Sequence, residues 1–215
     1  MAKKLDEPQE RGDFFKSLGT LFAGFVANRI EDAVTGLGPK LLRPPGALDE
    51  LEFLTKCTRC DKCMRACPEN AITKAGPGAG LALNTPYLDP RSIPCFLCTT
   101  LPCIAECDDE ALVWPRLIRP DGSELEGPKA VRMGTARVKP NHCVTWGSEE
   151  REVRECRICV DRCPYPEEAI FISTPAEGAT VGHPVVNADL CTGCGLCVFA
   201  CPAEPGAIIV EPRRG

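Results

Sequence analysis

Residues 191–202 read CTGCGLCVFACP: three cysteines are each separated by two residues, a fourth follows after three more, and a proline comes next. Residues 57–68, CTRCDKCMRACP, repeat this spacing without a change. Two groups with irregular spacing lie between them, so the 16 cysteines of the 215-residue chain fall into four groups of four. We therefore expect the rest of the chain to serve as a framework for these groups.

The spacing C-x2-C-x2-C-x3-C-P is typical of chains that ligate [4Fe–4S] clusters, with the fourth cysteine bound to the other cluster of a pair. Three thiolates at this spacing can surround one cluster from a single loop, and the proline ends the local geometry because it fixes φ and lacks a donor. Backbone N–H groups in such a loop can point at the sulfurs. Gly193 and Gly195 suit the loop because glycine tolerates left-handed conformations.

All sixteen cysteines are predicted cluster ligands, and four complete sets of four predict four [4Fe–4S] clusters. The second group has four residues between its middle cysteines and Asp108 where a proline is expected, and the third has twelve residues between its first two cysteines. The groups are Cys57, Cys60, Cys63 and Cys67; Cys95, Cys98, Cys103 and Cys107; Cys143, Cys156, Cys159 and Cys163; and Cys191, Cys194, Cys197 and Cys201.

Disulfides and zinc are the alternative uses of so many cysteines. Disulfide frameworks occur mainly in short secreted chains, and zinc sites generally use C-x2-C pairs separated by longer loops. Neither predicts a third cysteine after two more residues and a fourth before a proline, twice over. A zinc-binding structural or interaction module is therefore the alternative to an iron–sulfur protein.

The charge of the chain indicates the class of partner. The formal net charge is −5, and four thiolates around a [4Fe–4S]2+ core add about −2 for each cluster. Such an acidic protein is not expected to bind nucleic acid, which attracts basic faces. The expected partners are redox proteins or the catalytic subunit of an oxidoreductase.

Short apolar segments follow the four cysteine groups at residues 71–72, 111–113, 169–172 and 207–210. They predict a repeated unit of loop, short helix and strand. The predicted fold is α+β: two dicluster modules like those of bacterial ferredoxins, with short strands and helices, many loops and an N-terminal amphipathic helix.

Three further local elements are predicted between and before the groups. Residues 49–56 are expected to form a short helix, and residues 81–83 a strand. Turn signals at residues 120–122 and 127–128, together with apolar alternation over residues 130–138, predict a β-hairpin in an insertion at residues 115–141.

Residues 1–48 are predicted to hold the amphipathic helix and a linker. Apolar residues between Phe14 and Val26 recur at helical spacing, which favours a mature helix in residues 13–34. This helix is expected to contact a membrane surface or a membrane subunit, and the alternative is that it packs on the ferredoxin body of the same chain. Residues 11–16, RGDFFK, also resemble a degenerate twin-arginine export signal in which Gly12 replaces the second arginine. The expected location is cytoplasmic with membrane association, and the alternative is periplasmic.

The chain resembles the four-cluster ferredoxin-type proteins of the NapG and MauM kind, and is similar to the electron-transfer subunits of molybdenum and tungsten oxidoreductases. The resemblance covers about residues 50–212, and Asp108 departs from the family pattern. It is carried by CTRCDKCMRACP (57–68), TPYLDPRSIPCFLCTTLPCIAEC (85–107), MGTARVKPNHCVTW (133–146), CRICVDRCP (156–164) and CTGCGLCVFACP (191–202).

The resemblance implies that group one is paired with group four, and group two with group three. The regular spacing of groups one and four, against the irregular spacing of the other two, favours the same pairing. The implied domains are residues 1–48, a module of residues 49–76 plus 185–215, and a module of residues 77–184. The implied ligand sets are Cys57, Cys60, Cys63 and Cys201; Cys191, Cys194, Cys197 and Cys67; Cys95, Cys98, Cys103 and Cys163; and Cys143, Cys156, Cys159 and Cys107.

The function predicted from these features is that of an electron-transfer polyferredoxin. It would relay single electrons through four [4Fe–4S] clusters, between a redox enzyme or quinone-linked donor and an acceptor. No enzymatic activity is predicted, because iron–sulfur enzymes of the aconitase or radical type need an iron without a cysteine ligand, and the sixteen cysteines complete all four sets.

A few other residues are secondary candidates. His142, beside Cys143, is either a residue that tunes or replaces a ligand or a surface histidine. Trp114 and Trp146 are expected to pack over the clusters of the second and third groups. A basic set near group one forms either a solvated face or a docking patch for an acidic carrier. This set is Lys56, Arg59, Lys62 and Arg65.

Overall fold

The computed structural model describes residues 40–119, 122–146, 152–178 and 180–213. The helix predicted in residues 13–34 lies outside them. The α-helices are α1 Glu50–Lys56, α2 Lys62–Ala66, α3 Pro102–Ala105, α4 Ile158–Asp161 and α5 Leu196–Phe199, and 3-10 helices span Pro77–Ala82 and Gly127–Ala130. The strands are β1 Ile72–Lys74, β2 Pro86–Leu88, β3 Arg116–Ile118, β4 Glu124–Glu126, β5 Gly134–Val138, β6 Ile170–Ile172, β7 Pro184–Val186 and β8 Ile208–Pro212.

The local elements agree with most of the sequence predictions. The helix at residues 49–56 is confirmed as α1, and strands follow groups one, three and four as β1, β6 and β8. After group two the segment is extended, but it forms only an isolated bridge between Leu112 and Ala47. The strand predicted at residues 81–83 is wrong, because two short 3-10 turns that meet at a kink at Gly80 occupy residues 77–82 and bring the small side chains of Ala75, Ala79 and Ala82 together.

The predicted hairpin is present in the insertion, but different residues form it. Strands β3 and β4 pair antiparallel, with Arg116 opposite Glu126. The apolar alternation over residues 130–138 belongs instead to β5, which pairs with β8 along five residues from Gly134–Pro212 to Val138–Ile208. Burial of Ala136 against Ile208 and its neighbours accounts for this alternation.

The described chain contains two modules with the same topology. In the second module, residues 134–212, β5 precedes cysteine groups three and four, the antiparallel pair β6–β7 lies between them, and β8 returns to pair with β5. In the first module, residues 42–113, β1 and β2 form the middle pair. Its ends meet through two backbone hydrogen bonds, from Leu48 N–H to the Ala111 carbonyl (3.2 Å) and from Val113 N–H to the Gly46 carbonyl (2.8 Å).

The module boundaries therefore differ from the predicted ones. Groups one and two share one continuous stretch of chain, and groups three and four share the next. Helix α2 packs on α3 within the first module, and α4 packs on α5 within the second. The physical reason is that each module closes on itself within a contiguous stretch of chain: β8 returns to β5 in the second module, and the ends of the first meet at residues 46–48 and 111–113.

Candidate metal centres

All sixteen predicted cysteines line four cavities, four to each cavity. Cavity one is lined by Cys57, Cys60, Cys63 and Cys107. Cavity two is lined by Cys67, Cys95, Cys98 and Cys103. Cavity three is lined by Cys143, Cys156, Cys159 and Cys201. Cavity four is lined by Cys163, Cys191, Cys194 and Cys197.

The fourth cysteine of every group lines the cavity of its partner group, as the spacing predicts, but the partners differ from those that the resemblance implies. Cys107 of group two lines cavity one with the first three cysteines of group one, whereas Cys201 was expected there. Cys201 instead lines cavity three. The packing of α2 on α3, and of α4 on α5, brings the exchanged cysteines together within each module.

The cysteine loops of groups one, two and four share a left-handed backbone at two equivalent positions. These are the residue before the second cysteine and the residue two places before the third. Glycine was expected to serve this conformation in group four, and it does. The φ values are 60° and 64° at Arg59 and Asp61, 50° and 43° at Leu97 and Leu101, and 75° and 82° at Gly193 and Gly195.

Backbone N–H groups point at cysteine sulfurs in both modules. Ala71 N–H donates to Sγ of Cys67, Leu112 N–H to Sγ of Cys107, and Ala136 N–H to Sγ of Cys191, each at 3.4 Å. Such bonds stabilise negative charge on a thiolate and are among the features by which a protein sets a cluster's potential.

A chain of side-chain hydrogen bonds reaches cavity three from residues outside the cysteine groups. The Thr145 hydroxyl lies 3.2 Å from Sγ of Cys143, and Nδ1 of His183 lies 3.3 Å from that hydroxyl. Trp146 stacks on the His183 ring, with the ring centroids 4.0 Å apart. A thiolate only accepts hydrogen bonds, so in a loaded site the hydroxyl donates to the sulfur and the imidazole donates to the hydroxyl. Sequence reasoning missed Thr145 and His183, and no spacing signal links a histidine to a cysteine forty residues away.

Burial raises the pKa of several cysteine thiols in each module. The pKa of Cys63 rises to about 12 and that of Cys103 to about 11, mainly because burial disfavours the charged form and secondarily because neighbouring thiolates repel it. In the second module the same causes raise the pKa of Cys159 to about 12 and that of Cys163 to about 11. Thiols of this kind ionise at neutral pH only when a cation replaces the proton, as metal binding does.

The four cavities fit a cluster held entirely by cysteine. Each encloses about 360–390 Å³ of space, part of it open to solvent, with mostly apolar lining apart from the sulfurs. None of the sixteen cysteines forms a disulfide. Within the described ranges, no three Cys, His, Asp or Glu side chains converge on a point suited to a single metal ion. Four thiolates with inward N–H donors are the ligand set that iron–sulfur clusters use.

The secondary candidates lie near the cavities without lining them, with one exception. His142 does not line cavity three, and its Nδ1 is buried. Trp114 packs its ring beside Gly127, and Trp146 lies on His183; neither lines one of the four cavities. Arg59 is the exception, since it lines cavity one.

The four basic residues near group one all make local contacts. Lys56 pairs with Glu52 at 3.1 Å, and Lys62 pairs with Asp108, the residue that stands where a proline was expected. Arg59 donates to the carbonyls of Leu81 and Leu83, and Arg65 donates to the carbonyl of Cys60. These contacts hold the loop of group one, and the docking role stays a prediction.

Family comparisons agree with the geometry of both modules. Residues 53–73 match the family of 4Fe-4S binding domains, and residues 154–204 match the family of 4Fe-4S dicluster domains. The ferredoxin-type protein NapG of Escherichia coli is 34% identical over 205 residues, which cover 93% of this chain and 83% of NapG. The methylamine utilization ferredoxin-type protein MauM of Methylorubrum extorquens is 34% identical over 197 residues, 91% of this chain and 83% of MauM. The chain belongs to the NapG and MauM family of ferredoxin-type proteins.

Membership of the NapG and MauM family makes this chain an iron–sulfur electron-transfer protein that binds [4Fe–4S] clusters, and not an enzyme. The match at residues 154–204 contains the last three cysteines of group three and all four of group four, in agreement with the second module. A chain of the formate dehydrogenase–heterodisulfide reductase–formylmethanofuran dehydrogenase complex from Methanospirillum hungatei aligns with a TM-score of 0.29 and 24% identity, covering 80% of this chain and 54% of that chain. So loose a superposition carries no argument about the fold.

Proposed function

We propose that this chain relays single electrons through four [4Fe–4S] clusters, between a redox enzyme or quinone-linked donor and an acceptor. The observation that carries the proposal is the grouping of all sixteen cysteines into four cavities with four thiols each. A carrier that exchanges electrons with one partner needs only one or two clusters. Four in one small protein suit a relay between two partners.

The residues of the chain have separate roles in this proposal. The sixteen cysteines hold the clusters, which supply one-electron chemistry when bound. Backbone N–H groups of Ala71, Leu112 and Ala136, and the hydroxyl of Thr145, stabilise charge on the sulfurs. The apolar walls of the cavities limit contact with water, which also affects the potential.

Anaerobic purification followed by analysis of iron, sulfide and zinc tests the proposal. About sixteen iron atoms per chain, with spin-coupled EPR signals after reduction by dithionite, would support four clusters in pairs. An iron content of about eight atoms per chain would be compatible with a ferredoxin-type electron-transfer protein but would overturn the four-cluster relay. Zinc in place of iron would favour the alternative, a zinc-binding interaction module.

The partners and the location are proposed from the sequence. A redox protein or the catalytic subunit of an oxidoreductase is the expected partner, and residues 13–34 are the proposed contact with a membrane surface or membrane subunit on the cytoplasmic side. Among the described residues, no helix has the length and apolar character needed to cross a bilayer. Cell fractionation of the full chain, compared with a variant lacking residues 13–34, tests the membrane contact. Recovery of both proteins in the soluble fraction would reject this contact. Recovery of the full chain in the periplasm would favour the export signal.

A further inference from the structure

The cysteine loop of group four lies directly against the first module. The N–H of Cys95, which lines cavity two, donates to the carbonyl of Cys194, which lines cavity four, at 2.9 Å. Cys194 is also part of the apolar cluster that contains Leu97, Leu101 and Cys103 of the first module. Cavities two and four are thus brought together where the two modules meet.

The two glycines of this loop are not required by the loop conformation itself. At the equivalent positions, group one has Arg59 and Asp61 and group two has Leu97 and Leu101, all with positive φ. Two of the three left-handed loops therefore form with side chains at both places. Another constraint must explain why group four has glycine at both.

Close neighbours supply this constraint in group four. A Cβ on Gly193 would lie 2.4 Å from the backbone nitrogen of Gly134, at the start of β5. A Cβ on Gly195 would lie 2.3 Å from Cβ of Pro90, which belongs to the first module. Contacts this short do not occur between real atoms, so a side chain at position 195 would push the loop away from the first module.

We propose that Gly195 and Pro90 hold the group-four loop against the first module so that electrons cross between the modules at the contact of Cys95 with Cys194. This inference rests on the proposed relay and adds its internal route. The step transfers one electron from a reduced centre to an oxidised one, and no bond forms or breaks. Gly195 and Pro90 are positioning residues, because each acts through the placement of a cysteine loop.

The order of the relay follows from this contact. Cavities one and two share the first module, cavities three and four share the second, and cavity two meets cavity four. The order along the protein is therefore one, two, four, three, which differs from the order along the chain. Cavities one and three become the ends at which partners exchange electrons, and Cys60 at cavity one is the one exposed thiol among the sixteen.

The test compares Gly195→Ala with two matched variants in the full chain. Gly178→Ala is the control, because Gly178 also has φ +82° but has no atom within 4 Å of the added Cβ. Gly195→Ala/Pro90→Gly is the rescue variant, because it removes the Cβ and Cγ atoms of Pro90 that lie at 2.3 and 2.8 Å, and the next nearest atom, Cα of residue 90, lies at 3.5 Å. Pulsed EPR of the partly reduced proteins measures the magnetic coupling between centres in different modules, and iron analysis measures loading.

We expect Gly195→Ala to lose the coupling between modules, Gly178→Ala to keep it, and the rescue variant to regain it. Unchanged coupling in Gly195→Ala with iron intact would overturn the proposal. If Gly195→Ala also loses iron, the rescue variant decides: recovery of iron and coupling supports the contact, and failure to recover them overturns it. Wild-type protein without iron would instead overturn the proposed function itself.

A second measurement checks the order without altering the contact. Cys60→Ala/Cys156→Ala removes a ligand from each of cavities one and three, and Cys98→Ala/Cys197→Ala removes a ligand from each of cavities two and four. Each variant keeps one complete set of four cysteines in each module. Any magnetic coupling between two complete sites is therefore coupling between the two modules. We expect strong coupling in the first variant and little in the second. The reverse result would overturn the order.

Discussion

The two modules share a topology but close their ends by different means. In the second module, β5 and β8 form a ladder of five residue pairs. In the first module, the same closure is reduced to a single bridge between Ala47 and Leu112. A short ladder contributes few hydrogen bonds, so the first module needs other interactions to hold its ends together.

A buried arginine provides interactions of another kind, which fasten the N-terminal segment of the first module to α1 and to residues 85–86. Arg43 is 7% exposed and binds both carboxylate oxygens of Glu50 at the start of α1. It also donates to the Thr85 hydroxyl and the Pro86 carbonyl, each at 2.8 Å, and its guanidinium lies 4.6 Å from the centre of the Phe53 ring. The same framework of two cysteine-lined cavities is thus closed by a backbone ladder in one module, and by a single bridge beside a buried side-chain network in the other.

The modules also differ at the cavities farthest from their junction. Cavity one in the first module has the exposed thiol of Cys60. Cavity three in the second module has the hydrogen-bond chain from His183 through Thr145 to Cys143, and Thr145 is 1% exposed. The cysteine sulfurs of cavity one and of cavity three therefore differ in their exposure to water and in their hydrogen bonds. These are two of the features that set cluster potentials.

The largest expected effect is the loss of a whole cluster in one chosen module. We expect Cys107→Ala to expose Cys57, Cys60 and Cys63 to alkylation, because the structure places Cys107 in their cavity. Cys201→Ala, the matched change in the second module, should expose Cys143, Cys156 and Cys159 instead. Peptide mass spectrometry of protein alkylated under anaerobic conditions identifies the exposed cysteines.

This pair of variants separates the two possible pairings of the groups. Under the pairing that the resemblance implies, Cys201→Ala would expose the cysteines of group one. That result would contradict the two contiguous modules described above.

A smaller effect is expected from loss of the arginine network of the first module. Arg43→Ala leaves the carboxylate of Glu50, which is 30% exposed, without its partner. The loss of unfolding free energy should therefore be about 2 kcal/mol, below the cost of breaking a fully buried ion pair. We expect a lower urea midpoint, with cysteines of the first module alkylated before those of the second. Arg116→Ala is the control, because its ion pair with Glu126 joins side chains that are 75% and 54% exposed, and such pairs contribute about 0.5 kcal/mol. Equal midpoints for the two variants would show that the Arg43 network does not stabilise the module.

The smallest expected effect is a change in one reduction potential at the far end of the second module. Thr145→Val removes the hydroxyl that donates to Cys143, and a hydrogen bond to sulfur favours the more negatively charged reduced state. A bond of about 1 kcal/mol corresponds to a potential lower by about 20–60 mV for one electron. A redox titration followed by EPR measures this. Thr73→Val is the control in the first module, because its buried hydroxyl has no partner in the structure; equal shifts in both variants would contradict the role of Thr145.

Much of the local structure was predictable from the sequence. The cysteine loops, α1 and the strands after groups one, three and four follow from spacing and apolar runs that involve neighbouring residues. The strand predicted at residues 81–83 failed because leucine and alanine at alternating places also suit a 3-10 helix, and the packing of Ala75, Ala79 and Ala82 decided between them. The alternation before group three was read as half of a hairpin, but its partner strand, β8, lies about seventy residues later.

Cysteine spacing alone establishes the ligand type, the four cysteine groups and the local loops, because each of these depends on residues that are close in the chain. Which fourth cysteine completes which cavity follows from the packing of the module, since that cysteine comes from a separate group and its position depends on how the module closes. The tertiary structure also brought His183 to Thr145 and Gly195 to Pro90. Contacts between residues so far apart in the chain depend on the packing of the whole module, and no spacing pattern records them.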